Sequence, residues 1–373
     1  MNTVCSLNQC TGCMACVESC AKNAIEIVDA ISSYNAVIDT TKCVGCKKCE
    51  SVCQVNYPPL LQKPIFWCEG WANSEDIRLN SSSGGYASAI EKAFIQNGGW
   101  VCSCKFENGV FGFSCVKENE EVKSFSGSKY VKSNPRKAYR VVKEKLNAGE
   151  KVLFVGLPCQ SAALQQYIGR HRENLYTVDL ICHGTPSPKV LESFLKDYRV
   201  SLSNIERISF RDKNHFQLCN SETSLSIPTV RDLYTTTFLK STTYTENCYT
   251  CRYATLDRVS DISLGDSWGS ELPKSEVNRG ISFALVQSQK GMELLQMADL
   301  CIKEADLKRA VKFNHQLDYP SVKPKERASF MGMLEKGKTF NHTVRKNYPS
   351  IYYRNIIKKA LYRLKIFRGG GRK

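Results

Sequence analysis

The sequence predicts an α+β chain in two parts: a small cysteine-rich N-terminal module, then a larger α/β body. Two observations predict it. A C-x2-C-x2-C-x3-C run occurs twice, as Cys10, Cys13, Cys16, Cys20 and as Cys43, Cys46, Cys49, Cys53. From residue 151 onward, apolar runs of strand length alternate with helical stretches, the pattern of neighbouring parallel strands joined by helices.

The N-terminal module comes first. Three thiolates on one tight loop cap one face of an iron–sulfur cube, and the fourth must come from elsewhere. The spacing is that of a two-cluster bacterial ferredoxin, in which the last cysteine of each run serves the other cluster. Cys10, Cys13, Cys16 and Cys53 are therefore assigned to one 4Fe–4S cluster, and Cys43, Cys46, Cys49 and Cys20 to a second. Zinc knuckles use two close cysteines each, so the third and fourth cysteines of each run argue against zinc. The proline that usually follows the fourth cysteine is replaced by Ala21 and Gln54, which weakens the turn signal and leaves the ligand count intact. Between the runs, residues 24–28 and 35–39 alternate as the strands of a hairpin do. Pro58, Pro59 and Pro64 read as a linker, giving a ferredoxin-like domain over 1–60, a body over 61–335 and a basic tail over 336–373.

In the body, Asn80-Ser81-Ser82-Ser83-Gly84-Gly85 opens a helix, and its free N–H groups suit a phosphate or simply a serine cap. Residues 101–104 and 110–115 read as strands with buried Cys102, Cys104 and Cys115. A second glycine–serine turn, Gly127-Ser128-Lys129-Tyr130, offers a lysine to an anion, and a helix is expected from Asn134-Pro135 to about Asn147. The apolar runs 151–157 and 175–181 should be parallel neighbours. Cys159 and Cys182 follow them, just beyond the carboxyl ends where open α/β sheets bind ligands. With the knuckle Cys248-x2-Cys251 they make four ligands, which on spacing alone fit a third cluster, a zinc site or no site. His183 beside them is a candidate proton-handling residue, though a lone histidine also serves as a hydrogen-bonded structural residue. Cys5, Cys68, Cys219 and Cys301 have no evident partners and read as structural.

Composition sets the surroundings. Nineteen cysteines with no secretory signal argue for metal in a reducing cytoplasm rather than disulfides. No apolar run is long enough to span a bilayer. The formal charge is +16, but residues 336–373 hold 12 Lys or Arg and no Asp or Glu, leaving +4 for the rest (16 − 12). Each cluster adds about −2 once its thiolates are metallated. A general nucleic-acid surface is not expected.

Taken in order, Ser82-Ser83-Gly84-Gly85, Gly127-Ser128-Lys129-Tyr130, Gly156-Leu157-Pro158-Cys159-Gln160, Cys182-His183-Gly184, Cys248-x2-Cys251 and the stretch from Ser260 to Gly269 resemble the coenzyme F420 hydrogenase/dehydrogenase beta-subunit family, here fused to a ferredoxin. The resemblance covers residues 1 to about 320. It implies a 4Fe–4S cluster on Cys159, Cys182, Cys248 and Cys251 beside a flavin, usually FAD. The flavin pocket would be lined by Ser82, Ser83, Gly84, Gly85, Ser128, Lys129, Tyr130, Gly265 and Asp266. The body would thus be a flavin and iron–sulfur domain. Members exchange electrons with coenzyme F420 or reduce quite different substrates. Bacterial relatives with this ferredoxin fusion sit alongside glycan-assembly genes.

The expected function is a cytoplasmic iron–sulfur flavoprotein oxidoreductase with three 4Fe–4S clusters and FAD. It would take electrons from a redox donor such as ferredoxin and reduce a small organic or glycan-related substrate, as in bacterial polysaccharide biosynthesis. The alternatives are a coenzyme F420-dependent subunit, or a non-catalytic electron-transfer subunit of a partner enzyme. In the tail, Ile356, Ile357, Ala360, Leu361 and Leu364 fall at helical spacing with Lys358, Lys359 and Arg363 on other faces, and Arg368, Arg372 and Lys373 beyond. That pattern fits weak contact with an anionic membrane, a terminal helix packed on the body, or docking of an acidic donor.

Overall fold

The structure, a computed structural model, describes residues 2–366 apart from 170–171, 221–224, 226 and 228–229. Arg368, Arg372 and Lys373 of the basic tail lie outside the described residues.

The N-terminal module is built by its duplicated cysteine loops. Each loop turns through a left-handed glycine, Gly12 (φ 69°) or Gly45 (φ 71°), and enters a short helix through a left-handed residue, Met14 or Lys47. The helices are Ala15–Ser19 and Lys48–Ser51. Between them lies the expected antiparallel hairpin, β1 (Ile25–Asp29) and β2 (Tyr34–Ile38), paired from Ile25↔Ile38 to Asp29↔Tyr34. Ala36 and Tyr34 on its inner side pack with Cys10, Cys16 and Cys53.

The body is organised on an eight-stranded mixed sheet. Its strands are β3 (Phe66–Ala72), β4 (Trp100–Glu107), β5 (Val110–Val116), β6 (Val152–Gly156), β7 (Leu175–Leu180), β10 (Ile262–Asp266), β11 (Ser282–Val286) and β12 (Leu300–Lys303). A separate hairpin supplies β8 (Ile208–Asp212) and β9 (His215–Asn220). The order across the sheet is β12-β3-β11-β10-β7-β6-β4-β5. The centre, β4-β6-β7-β10, is parallel, as expected for β6 and β7, and both flanks are antiparallel. β6 is a continuous Val-Leu-Phe-Val run, buried along its whole length, because helices cover both faces of the sheet there. Helices Tyr86–Gln96 and Gln289–Met297 contribute one apolar layer, and Ala138–Asn147 and Pro158–Ile168 the other. The helix expected from Asn134 starts later, at Ala138, because Pro135 and the left-handed Lys137 hold the intervening residues in a turn.

A further core lies beyond the sheet, where Phe194, Phe210, Tyr234, Phe330 and Phe340 pack together. It joins the β8–β9 hairpin to helices Pro188–Lys196, Arg327–Glu335 and Phe340–Asn347. The molecule is therefore a mixed α/β architecture with one large mixed sheet and a ferredoxin-like N-terminal region. No described helix is long and apolar enough to cross a membrane.

Candidate metal centre and adjoining cavity

Parallel strands deliver the first part of the centre. Cys159 stands in the first turn of helix Pro158–Ile168, immediately after β6, and Cys182 lies two residues past β7. Cys248 sits in the 3-10 turn Glu246–Thr250, with Cys251 directly after it. The buried ion pair Arg258–Asp179 (2.6 Å) fixes this segment, its guanidinium also donating to the Tyr253 carbonyl at 2.6 Å. All four cysteines line one cavity of about 110 Å³. That is several times the ~10–15 Å³ that one water needs. Four cysteines around one such cavity are a donor set that a 4Fe–4S cluster can use.

The electrostatics agree with that fit. Burial pushes the thiols of Cys159 and Cys251 up, and that of Cys182 to about 12, with neighbouring thiols adding to the effect. These three buried groups become thiolates only if a cation compensates them, which is what iron would supply. Thr245 Oγ1 (3.5 Å) and Asn247 Nδ2 (3.8 Å) face Cys248 Sγ and can hydrogen-bond a ligating sulfur.

In the ferredoxin-like region the first cysteine set gathers as the spacing expects, with Cys53 joining the first run. Cys10, Cys13, Cys16 and Cys53 line one small cavity, with Gly12 N–H donating to Cys10 Sγ at 3.4 Å. Cys5, read from sequence as structural, lines the same cavity; its contact with Cys10 and Cys53 pulls both those thiols down, Cys53 to about 6. Cys43 and Cys46 are exposed and Cys49 and Cys20 half-buried, so the second set lies at the surface. The first set faces inward. Gln9, Thr11 and Gln54 from its loops line the cavity of Cys159, Cys182, Cys248 and Cys251.

Beyond that centre opens a larger cavity of about 530 Å³, within the range of small-molecule sites. The two cavities share Leu157, Cys182, His183, Gly184 and Thr185. Gly184 (φ 132°) turns the chain where a Cβ would meet the Tyr244 ring at 2.4 Å. Every flavin candidate read from the sequence lines the large cavity except Gly84. A Cβ at Gly84 would stand 2.4 Å from the Gly70 carbonyl and 2.6 Å from Ser282 N, so this glycine lets the loop pack against β3 and β11. The two glycine–serine loops meet directly, with Ser128 N–H donating to Ser82 Oγ at 2.7 Å. Lys129 differs from its expected role. Its ammonium donates to the carbonyls of Phe125, Ser126 and Gly127, so it braces its own loop rather than offering charge to the cavity.

Arg211, Lys213 and Glu91, on or beside the cavity wall, carried no signal in the sequence. Arg211 of β8 reaches Asp266 at the end of β10 through two hydrogen bonds of 2.7 Å and donates to Tyr130 Oη at 3.3 Å. Its guanidinium also stacks on Phe216 and Trp268, 5.0 and 5.4 Å from the ring centroids. Lys213 of the same hairpin donates to the carbonyls of Arg78, Ser81 and Ser83 and so fixes the loop that leads to Gly85. Glu91 is fully buried on the cavity wall, and burial raises its carboxyl to about 8. His183 takes a hydrogen bond at Nδ1 from Gln316 (2.7 Å), while burial and then His315 lower it to about 4, leaving a neutral imidazole.

Comparison with known proteins adds the following. Residues 9–57 match the 4Fe-4S dicluster domain, and residues 149–309 match the family described as the C terminus of the beta subunit of coenzyme F420 hydrogenase/dehydrogenase. Both segments agree with the resemblance read from the motifs. A chain of the F420-reducing [NiFe] hydrogenase complex from Methanosarcina barkeri aligns at 20% identity and a TM-score of 0.48, covering 71% of this chain and 98% of that one. No curated protein matches this chain.

Proposed function

We propose that this chain, which joins a 4Fe–4S dicluster domain to the C-terminal domain found in the beta subunits of coenzyme F420 hydrogenases and dehydrogenases, is an iron–sulfur oxidoreductase that works on a small organic substrate at a bound flavin. The observation that carries this reading is the order of the sulfur sites. An exposed cysteine set gives way to a buried one, the buried one to the inner set, and the inner set shares its wall with the large cavity. Such an order suits conduction between the surface and an enclosed reaction site.

Each residue group has a part in this reading. Cys43, Cys46, Cys49 and Cys20 would hold the outer cluster, Cys10, Cys13, Cys16 and Cys53 the middle one, and Cys159, Cys182, Cys248 and Cys251 the inner one. Ser82, Ser83, Gly85 and Ser128 line the cavity with small residues that would leave room for the FAD pyrophosphate. Tyr130, Phe216 and Trp268 provide flat apolar surface for a ring system, and the Arg211–Asp266 pair sets a fixed dipole beside it. When bound, the clusters exchange single electrons and the flavin converts these into a hydride equivalent. His183, neutral and accepting from Gln316 at Nδ1, lines both cavities and holds its proton on Nε2, from which it can donate a hydrogen bond. Phe238, Leu239 and Phe313 close the apolar side and exclude water.

The family description favours a second reading equally: exchange with coenzyme F420, or service as an electron-transfer subunit of a partner enzyme. A glycan-related substrate belongs to the first reading only. One anaerobic experiment separates them. The purified chain, heated and centrifuged, should release flavin. Its visible absorbance should bleach with reduced ferredoxin under the first reading, or with reduced coenzyme F420 under the second. A fully metallated preparation that never contains flavin would leave only the electron-transfer role.

A further inference from the structure

Helix Pro349–Arg363 packs on the body by one face only. Ile351 and Tyr352 join the apolar core beyond the sheet, Asn355 is buried and donates to the Arg231 carbonyl (2.8 Å), and Lys359 donates to Tyr198 Oη (3.1 Å). The opposite face is solvent-exposed and apolar: Tyr353 is 54% exposed, Ile356 45%, Ile357 57% and Leu364 68%, with Ala360 among them. At helical spacing these five form a stripe about 100° wide, running roughly 17 Å along the axis. Leu361, expected with them, sits half-buried at the margin. Exposed Arg354 and Lys358 border one edge of the stripe and exposed Arg363 the other, and no acidic residue occurs from 336 to 366.

We propose that this face lies in the plane of an anionic lipid surface. An apolar stripe flanked by cations, with a tyrosine at its margin, suits the boundary between acyl chains and acidic headgroups. A second copy of the chain fits poorly, since apposing two such faces brings their basic borders together. The test uses the full-length protein and vesicles of phosphatidylcholine, with or without phosphatidylglycerol. Co-sedimentation should occur only with the anionic vesicles. Ile356→Asp with Ile357→Asp should weaken it by at least ~10-fold, and Lys358→Glu by roughly fivefold or more. Iron content should not change in either variant. Failure to bind anionic vesicles, binding indifferent to the Ile substitutions, or apolar-face self-association in place of vesicle binding would each overturn the proposal.

A different observation concerns Lys132. It is buried, its ammonium donates to the Thr11 carbonyl (3.1 Å) and lies 5.2 Å from the Tyr34 ring centroid, and it lines the cavity of the inner cysteines. Among the described residues no carboxylate pairs with it. A buried cation without a counterion is costly, and the groups that feel its charge are thiols: Cys159 and Cys182 line the same cavity, and Cys10 belongs to the loop whose Thr11 carbonyl it holds. We infer that Lys132 is a positioning residue that supplies the shared countercharge between the middle and inner cluster sites and eases electron uptake at both.

This inference rests on the proposed inner cluster. Redox titration of the full chain, followed by EPR, tests it. Lys132→Met should disfavour reduction of the middle and inner clusters by about tenfold or more, ~59 mV per electron. The outer cluster should not respond, and Lys132→Arg should restore the native values. Unchanged potentials at full iron content would remove the role of Lys132. Absence of inner iron from the unsubstituted protein would instead sink the inner-cluster reading.

Discussion

Two sulfur sites in this molecule are made in opposite ways. Cys10, Cys13 and Cys16 lie on one loop whose left-handed Gly12 and Met14 aim all three thiols inward, and only Cys53 must travel. The inner set comes from the ends of two parallel strands and a 3-10 turn, and its geometry exists only once β6 and β7 are paired and Arg258 has closed on Asp179. A loop site carries its own ligand geometry. A sheet-end site borrows its geometry from the whole fold and gains a position at the mouth of the large cavity. Damage to the first should stay local, whereas damage to the scaffold should reach the second.

The largest expected effect follows from removing one inner ligand. Cys159→Ala should lower iron by about four atoms per chain and leave the two ferredoxin-type EPR signals in place. Unchanged iron would make Cys159 a packed thiol and erase the contrast.

Arg211→Met attacks the scaffold of the cavity instead. It strands the carboxylate of Asp266, which is one-fifth exposed, so stability should drop by about 2–4 kcal/mol in denaturant unfolding. Flavin retention should fall with it while ferredoxin-type iron stays constant. Equal loss of iron from every set would mean that the two sites are not independent.

A smaller effect is a pH slope. Buried Glu91 keeps its proton to about pH 8, whereas the unfolded chain releases it near 4.5. The unfolded state loses the proton first, so stability should decline as pH rises from about 4.5 to about 8 and level off above that. Glu91→Gln should flatten this decline by roughly 1–3 kcal/mol across the window. A variant with the same slope would place the titration elsewhere.

The same contrast explains what could be read from the sequence. Local spacing announces Cys10 to Cys53, and the apolar runs announce β6 and β7, because both depend on residues a few positions apart. β3 is hidden behind Pro64 and β12 is only four residues long, and the pairing of β3 with β11 and β12 is non-local. Arg211, Lys132 and Glu91 are ordinary charged residues by sequence, and only the fold makes them buried. Lys129 shows the converse. Its glycine–serine setting suggests an anion partner, but the turn places three carbonyls nearer. Cys5 lies outside either spacing, and the bridge from Thr3 to Val37 brings its segment beside Cys10.

The central claim is that two locally built sulfur sites and one assembled by the sheet lead to the large cavity, which is proposed to hold a flavin. Iron, acid-labile sulfide, zinc and flavin, measured together on the anaerobically purified full chain, test it most directly. The account predicts about twelve iron atoms, equal sulfide and one flavin per chain, with negligible zinc. About eight iron atoms with no flavin, or stoichiometric zinc in place of iron, would contradict it.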